Sequence, residues 1–167
     1  MNTRRLWVYR LIVRLLPETR CFAFKVSLLR WCGAIVGDGV RVCSSAIIVG
    51  NSKLVIGDDV WIGVGVFLSA TGSATVEIGS HVDIAPRVVI LTGSHEIDPQ
   101  GAHIAGRGTS ASVRVGSGSW LGAACVVLPG VELPEKTLVA AGSVVTRSIT
   151  GANQLVAGSP AVVKKEY

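Results

Sequence analysis

From Val36 onward, aliphatic residues recur at every sixth position in groups of three, and mostly polar, small or glycine residues lie between them. A six-residue period is too short for a helix face or a hairpin, and it suits a short strand followed by a tight turn. The recurring positions are Val36, Val42, Ile48; Ile56, Ile62, Leu68; Ile78, Ile84, Ile90; Val115, Leu121, Val127; and Leu133, Val139, Val145.

A slower period is visible in the residue that follows each recurring position. In the first hexad of each group it is glycine four times and then Pro134. Extra residues occur only between groups, as expected if insertions leave a stacked coil at one corner. Three hexads therefore predict one triangular coil, and such coils stack at a strand spacing of about 4.8 Å. We predict an all-β domain over residues 33–150, a parallel β-helix of about five coils, followed by a C-terminal tail over residues 151–167.

Residues 1–32 precede the repeat and are predicted to form two helices. The first covers residues 4–16 and ends at Pro17. The second runs from about Glu18 to Trp31 or Cys32, with Gly33 as its stop. On a helical wheel the first helix has one apolar and one basic side. The apolar side holds Val8, Tyr9, Ile12, Val13, Leu15 and Leu16, and the basic side holds Arg4, Arg10 and Arg14.

The net positive charge of the chain comes from this segment. Residues 1–32 hold seven basic residues against Glu18 alone, a net +6, whereas the remainder holds nine basic and ten acidic residues, a net −1. A nucleic-acid-binding body needs a basic face, so no nucleic-acid partner is expected. Two interpretations of the segment stay open, and they are compatible with each other. One is a cap over the edge of the first coil, and the other is a membrane-surface helix that faces anionic lipid.

Composition indicates a folded domain with a core of small aliphatic residues, since 49% of the residues are hydrophobic and 16% are charged. No apolar run reaches about 18 residues and no signal-peptide cleavage site is seen, so neither a transmembrane helix nor a signal peptide is expected. The cysteines, Cys21, Cys32, Cys43 and Cys125, show no C-x-x-C spacing. They are interpreted as buried free thiols in a reducing compartment, and no metal ligand is predicted.

One stretch breaks the repeat. The apolar run over residues 88–91 continues into Thr92-Gly93-Ser94-His95, and a polar, glycine-rich excursion follows over residues 96–112. Ser94 falls on an inward position of the period, so the His95 side chain is expected to point out of the prism. From spacing alone, His95 is either a solvated surface residue or a general base, because imidazole titrates near working pH.

Three segments resemble the hexapeptide-repeat acyltransferases, in particular sugar and polysaccharide O-acetyltransferases of the maltose, galactoside and colanic-acid type. The resemblance covers about residues 33–165 and implies a left-handed parallel β-helix. That handedness opposes the usual crossover rule, and the periodicity alone does not indicate it. The segments are 78–88 continuing to 92–95, 115–123 continuing to 128–131, and 140–147 with 157–161.

The resemblance implies direct acetyl transfer from acetyl-CoA, a co-substrate rather than a bound cofactor, to a hydroxyl of a sugar or glycan precursor. It implies that His95 is the general base, which takes the hydroxyl proton as the oxygen attacks the thioester. No acyl-enzyme is expected. Asp98 is favoured over Glu96 as the carboxylate that orients His95, as the third member of a triad does. The alternative is that both are solvated loop carboxylates.

The resemblance also implies a donor groove lined by small residues, which leave room for a long flexible arm. The basic residues near its end are expected to meet the CoA phosphates. Trp120 and Arg87 are predicted on the acceptor side. The predicted acetyl-CoA-binding residues are Gly122, Ala123, Ala141, Gly142, Thr146, Arg147 and Lys164.

Members of the family are homotrimers with active sites between neighbouring prisms, and the glycine-rich excursion is predicted to reach a neighbour. The protein is expected in the cytoplasm, with residues 4–16 as its contact with the inner face of the membrane. Three other functions stay open. The first is N-acetylation of an amino sugar, the second a non-catalytic scaffold. The third is a zinc hydratase, which the spacing of His81, His95 and His103 disfavours.

Overall fold

The computed structural model describes residues 1–167. Nineteen strands, numbered in chain order, build the body of the molecule. Most of them are two to four residues long and pair in parallel with strands from the coils above and below. They form three faces around one core, and the left-handed parallel β-helix of about five coils expected from the sequence is confirmed.

Each coil contributes one strand to each face. The first face consists of β1 (Ile35–Val36), β4 (Lys53–Ile56), β7 (Thr75–Ile78), β12 (Val113–Val115) and β15 (Glu132–Leu133). The second consists of β2 (Arg41–Val42), β5 (Trp61–Ile62), β8 (Asp83–Ile84), β13 (Trp120–Leu121), β16 (Leu138–Val139), β18 (Gln154–Gly158) and β19 (Ala161–Glu166). The third consists of β3 (Ile47–Gly50), β6 (Phe67–Ala70), β9 (Val89–Leu91), β14 (Val126–Val127) and β17 (Val144–Val145).

The predicted aliphatic ladders form the core, since all fifteen recurring positions are buried. On the first face, Val36 stands in register with Ile56, Ile56 with Ile78, and Ile78 with Val115. Each added coil therefore buries three aliphatic side chains against the coil before it. At about 2 kcal/mol for each buried Val, Leu or Ile, this stacking drives folding.

Glycine after the first aliphatic position of a coil serves close stacking rather than a special turn. A methyl group on Gly57 would lie 2.6 Å from the backbone nitrogen of Ser80 in the next coil, which is too close for any Cβ atom. The left-handed φ values occur two residues further on, as at Gly39 with φ +70° and Asp59 with φ +49°. The hexad glycines are therefore explained by the distance between coils.

Two helices cover the first coil, α1 (Thr3–Val13) and α2 (Phe22–Trp31). Helix α1 buries Leu6, Tyr9 and Val13 in the core shared with the β-helix, so the cap interpretation is confirmed. The predicted end was wrong by one turn. The helix stops at Val13, the residue whose carbonyl the ring of a helical Pro17 would clash with, and Leu15 is left 88% exposed.

A buried lysine ties the cap to the first coil. The Lys25 ammonium donates to the carbonyl oxygens of Pro17 at 3.0 Å, Glu18 at 2.8 Å and Val42 at 3.2 Å. Burial lowers the pKa of Lys25, although nearby Cys43 and Glu18 act in the opposite direction. Three carbonyl acceptors use the full donor capacity of the group, which makes the buried charge tolerable.

The excursion is a β-hairpin and not an irregular loop. Strand β10 (Gly93–Ile97) pairs antiparallel with β11 (Ala105–Ser110). The chain leaves the coil at Thr92, whose buried hydroxyl donates to Ser69 O at 3.0 Å and accepts from Thr71 N at 2.8 Å. The expected inward Ser94 is therefore wrong: it is exposed, because Thr92 has already taken the last inward position.

The last residues extend the second face. Strand β18 pairs in parallel with β16, and β19 folds back antiparallel onto β18. The predicted tail over residues 151–167 is thus a two-strand closure of the second face. Three of the free cysteines are buried and Cys21 is exposed, which corrects the expectation for that residue. Neither helix is long and apolar enough to cross a membrane.

Candidate active site

His95 stands on the hairpin where it leaves the corner between the third and first faces. Its backbone pairs with Gly108 across the hairpin, and its side chain is exposed. The ring atom Nδ1 lies 2.9 Å from the carbonyl oxygen of Gly106. The side chain is thus placed outside the prism, as expected, but by a hairpin register rather than by the hexad period.

This contact fixes the proton on the imidazole ring. A carbonyl oxygen can only accept, so Nδ1 carries the hydrogen and donates it to Gly106. The neutral ring then has its lone pair on Nε2, which forms no hydrogen bond within the chain. A neutral imidazole held by one nitrogen and open at the other has the form that a general base needs.

Asp98 shapes the hairpin end and forms no hydrogen bond or ion pair with the imidazole. Its Oδ1 accepts from the backbone N–H of Gln100 at 3.2 Å and of Gly101 at 2.9 Å. A methyl group on Gly106 would lie 2.8 Å from Asp98 Cβ, so the two residues are packed together. Glu96 lies 4.0 Å from Arg107 in an exposed pair. In this structure the hydrogen-bond partner of His95 is the Gly106 carbonyl, and Asp98 lies beside the Gly106 Cα.

Four of the predicted donor residues lie along the corner between the second and third faces. Gly142 N donates to Ala123 O at 2.9 Å, which stacks the fourth coil on the fifth. Ala123, Ala141 and Gly142 are exposed. Gly122 is buried, and a methyl group there would lie 2.6 Å from the backbone nitrogen of Ala141. The corner therefore presents a strip of backbone and small side chains, and Gly122 is required for its stacking.

The predicted acceptor residues lie near this strip. Arg87 is exposed at the same corner one coil earlier, with a left-handed φ of +62°. Trp120 lies on β13 of the second face, in register with Asp83 and Leu138, and is 56% exposed. No side-chain hydrogen bond holds either residue in place. Both are free to meet a ligand on the outer surface.

The remaining predicted donor residues lie elsewhere. Thr146 and Arg147 follow β17 at the corner between the third and first faces, the same corner from which the His95 hairpin leaves. Lys164 is exposed on β19, at the far edge of the second face. The width of the third face, on the order of 15 Å, separates His95 and Thr146 from Ala123 and Gly142 in one chain.

Sequence reasoning missed two parts of this site. The Gly106 carbonyl is a backbone group, so it cannot be identified from residue types. The hairpin pairing was hidden because Gly-rich residues 105–110 are poor strand formers by composition. His81 does not lie near His95, since it is 3.4 Å from Asp59 at a different corner. No group of three or more metal-ligating side chains is found.

Comparisons with known proteins agree with the coil geometry. A family model described as the hexapeptide repeat of succinyl-transferase matches residues 112–147. The putative colanic acid biosynthesis acetyltransferase WcaF of Escherichia coli is 35% identical over 145 residues, which are 87% of this chain and 76% of that protein. The galactoside O-acetyltransferase of Lactococcus lactis is 32% identical over 114 residues, 66% of this chain and 54% of that protein.

Solved structures extend the likeness over almost the whole chain. A maltose O-acetyltransferase from Clostridium difficile gives a TM-score of 0.65 at 22% identity, covering 99% of this chain and 86% of that one. A mutant of the N-acyltransferase AntD from Bacillus cereus, in complex with dTDP and coenzyme A, gives a TM-score of 0.66 at 17% identity, covering 90% of this chain and 91% of that one. These identities are low, so the structures show the fold alone. Together with the 35% identical relative, the coils and motifs show that the chain belongs to the hexapeptide-repeat acyltransferases and is an acetyltransferase of the colanic-acid and galactoside type.

Proposed function

We propose that the protein transfers an acetyl group from acetyl-CoA to a hydroxyl of a sugar or glycan precursor, with His95 as the general base. The observation that carries this proposal is the imidazole of His95. Its Nδ1–H is held by the Gly106 carbonyl at 2.9 Å and its Nε2 is open to solvent. The buried cysteines Cys32, Cys43 and Cys125 are poorly suited to act as nucleophiles. Burial raises the pKa of their thiols and keeps them protonated.

The reaction proceeds by direct attack. The acceptor oxygen bonds to the thioester carbonyl carbon while Nε2 of His95 takes its proton. The C–S bond then breaks, and the departing CoA sulfur receives that proton from the imidazolium. The products are an acetyl ester and free CoA thiol. The Gly106 carbonyl stabilises the imidazolium through Nδ1–H, and such acid–base assistance is typically worth about 10²–10⁴ in rate.

The donor is proposed to lie in a cleft between two subunits of a homotrimer. Within one chain, His95, Thr146 and Arg147 are at one edge of the third face, and Ala123 and Gly142 are at the other. The thioester carbon of one bound acetyl-CoA cannot lie at both edges of the same prism. Side-by-side packing of neighbouring prisms joins one edge of each, and cyclic symmetry closes the ring.

The phosphate end of CoA is proposed to meet Arg147 and Lys164, since both cations are exposed and free of ion pairs. The acceptor is proposed to meet Trp120 and Arg87. A sugar or glycan precursor is favoured because the relatives are described as acting in colanic acid biosynthesis or on galactosides. The reaction is proposed to take place in the cytoplasm, where free cysteines such as Cys21 and Cys125 stay reduced.

The test is release of CoA thiol from acetyl-CoA with a panel of sugars, amino sugars and glycan precursors. The His95→Ala variant is expected to lose about 10²–10⁴ in rate, while His103→Ala, in the same hairpin, keeps wild-type activity. Release with amino sugars alone would assign N-acetylation instead. A fully active His95→Ala variant would refute the general-base role. A wild-type protein that neither binds acetyl-CoA nor releases thiol would refute the transfer itself.

A further inference from the structure

The outer side of helix α1 carries a row of large apolar side chains that the fold does not use. Trp7 is 63% exposed, Leu11 is 47% exposed, and Leu15 in the following turn is 88% exposed. These residues are spaced by four along the chain, so they fall within an arc of about 80° on a helix. The buried side of the helix, by contrast, is formed by Leu6, Tyr9 and Val13.

Three arginines lie among these apolar residues. Arg4, Arg10 and Arg14 are exposed and form no ion pair. The neighbouring Arg5 and Arg30 behave differently. Arg5 donates to Trp31 O at 2.9 Å, and Arg30 donates to Val36 O at 2.9 Å. Of the six arginines of the cap, two thus fix its structure, three face outward with the free apolar row, and Arg20 lies in the link between the helices.

No acidic residue lies on α1, and the first in the chain is Glu18. Its carboxylate is occupied by Ser45, whose backbone N–H and hydroxyl both donate to Oε2 at 3.1 Å. The outer face of α1, defined as Arg4, Trp7, Arg10, Leu11, Arg14 and Leu15, therefore presents positive charge interleaved with apolar groups. A protein partner or a second copy of the chain would have to supply acidic groups for three arginines and also bury the apolar side chains between them.

A cavity opens beside this face, between the end of α1 and the first coil. Its volume is about 400 Å³. Arg10 and Arg14 line it together with Val13, Leu16 and Ile47. Glu18 lines it too, with its carboxylate held by Ser45. Two guanidinium groups over an apolar floor fit a phosphate group that carries a hydrocarbon chain. The outer face of α1 and the cavity therefore both suit a ligand that combines a phosphate group with a hydrocarbon chain.

We propose that the outer face of α1 docks the protein on an anionic lipid bilayer, with Trp7, Leu11 and Leu15 in the headgroup region and the three arginines on lipid phosphates. Trp and Leu beside basic residues are the side chains that interfacial helices insert. Anionic lipid is selected over neutral lipid because each arginine adds about a factor of five in binding to a negative surface.

Docking in this way has a consequence for the acetyl acceptor, which rests on the proposed function. The His95 hairpin leaves the third coil, two coil spacings or about 10 Å above the first coil. The helix layer adds about 10 Å. With the bilayer across the capped end of the prism, His95 is about 20 Å from the lipid phosphates, a distance that a membrane-linked glycan spans and a lipid headgroup alone does not.

The test is flotation of the full-length protein with neutral phosphatidylcholine vesicles and with vesicles containing phosphatidylglycerol. Binding is expected to the anionic vesicles alone and to weaken with added salt. Arg10→Gln with Arg14→Gln is expected to lower the partition coefficient about 30-fold. Trp7→Ser with Leu11→Ser is expected to abolish binding. The charge-matched control, Lys53→Gln with Arg114→Gln on the first face, binds like wild type.

Equal binding by wild type and both α1 variants would overturn the proposal, as would the absence of wild-type binding at low salt. Concentration-dependent self-association that disappears in the Trp7→Ser, Leu11→Ser variant, without vesicle binding, would assign the face to a second copy and also overturn it. Because the assay contains no acyl donor, its result is independent of the acetyl-transfer test. Thermal unfolding of each variant shows that the cap is folded, since all four α1 side chains changed are solvent-exposed.

Discussion

The Nδ1 atom of His95 donates to the carbonyl oxygen of Gly106 across a two-stranded hairpin, at 2.9 Å. The hairpin register keeps this distance, since His95 pairs with Gly108 and Ile97 with Ala105, with an irregularity between the two pairs. Gly106 lies at that irregularity. The proposed base is therefore oriented by backbone geometry, and side chains that shape the hairpin are expected to act on catalysis through Gly106.

Asp98 offers a test of this arrangement. Asp98→Asn keeps an oxygen that accepts from Gln100 and Gly101, whereas Asp98→Ala removes it. If Asp98 positions the hairpin, Asn is expected to retain kcat within about threefold and Ala to lose about tenfold or more, which corresponds to 1–2 kcal/mol for the lost hydrogen bonds. The measurement is kcat and KM for acetyl-CoA, with Glu96→Gln as the control.

A direct electrostatic role would give a different pattern. If the Asp98 charge stabilised the imidazolium, Asn would be as damaging as Ala, because both lack the charge. An equal loss of kcat in the two variants would therefore contradict the positioning role. The pH profile of kcat separates the two further, since loss of a nearby negative charge lowers the pKa of an imidazole and loss of a turn does not.

Two glycines of the donor strip are expected to respond differently to alanine. In Gly122→Ala the new methyl group meets Ala141 N at 2.6 Å, so the fourth and fifth coils have to separate. A loss of about 1–3 kcal/mol is expected from such overpacking. Gly142 has φ +70° but open space around it, so Gly142→Ala is expected to cost about 1 kcal/mol of backbone strain. Urea unfolding of both variants checks the order.

The shared site predicts complementation between two inactive chains. His95→Ala removes the base at one edge of the third face, and Ala141→Trp fills the donor strip at the other, at a position without left-handed φ. If each site uses both edges from different subunits, randomly mixed trimers are expected to regain about a quarter of wild-type activity. The measurement is thiol release from co-expressed chains.

The control is a mixture of the same two variants prepared separately and combined without subunit exchange, which is expected to stay inactive. Restored activity in the co-expressed sample alone supports a site between subunits. Co-expressed mixed trimers without any activity would show that His95 and Ala141 serve one chain's own site, and the inter-subunit proposal would fail.

The hexad pattern predicted the β-helix because each aliphatic position has one environment, as the stacked Val36, Ile56 and Ile78 show. It failed where the chain leaves the coil, since Thr92 and Ser94 carry similar side chains and only the structure shows which is inward. The role of the Gly106 carbonyl could not be predicted, because every residue has a backbone carbonyl and the sequence does not show which one meets His95. The free face of α1 was also missed, because the wheel assigned Leu15 to the buried side and left Trp7 unassigned.

A last prediction concerns Cys125, which lies in the core with no exposed surface. Burial raises the pKa of this thiol from 9.0 to about 12, against a smaller opposite effect of a backbone hydrogen bond. Between these two pH values the unfolded chain has lost the thiol proton and the folded chain keeps it. Stability therefore falls as pH rises above about 9, by up to about 1.4 kcal/mol per pH unit for this group.

Cys125→Ala removes this dependence. The variant is expected to be less stable than wild type at pH 8, by about 1 kcal/mol for the lost sulfur, and the difference is expected to shrink and reverse at about pH 10. Buried Cys32, Cys43 and Tyr9 also have raised pKa values, so the variant keeps part of the alkaline loss. Urea unfolding between pH 8 and about 11 measures it, with exposed Cys21→Ala as the control. Parallel curves for wild type and Cys125→Ala would show that the thiol is not protected by burial and would contradict the packing of the fourth coil described above.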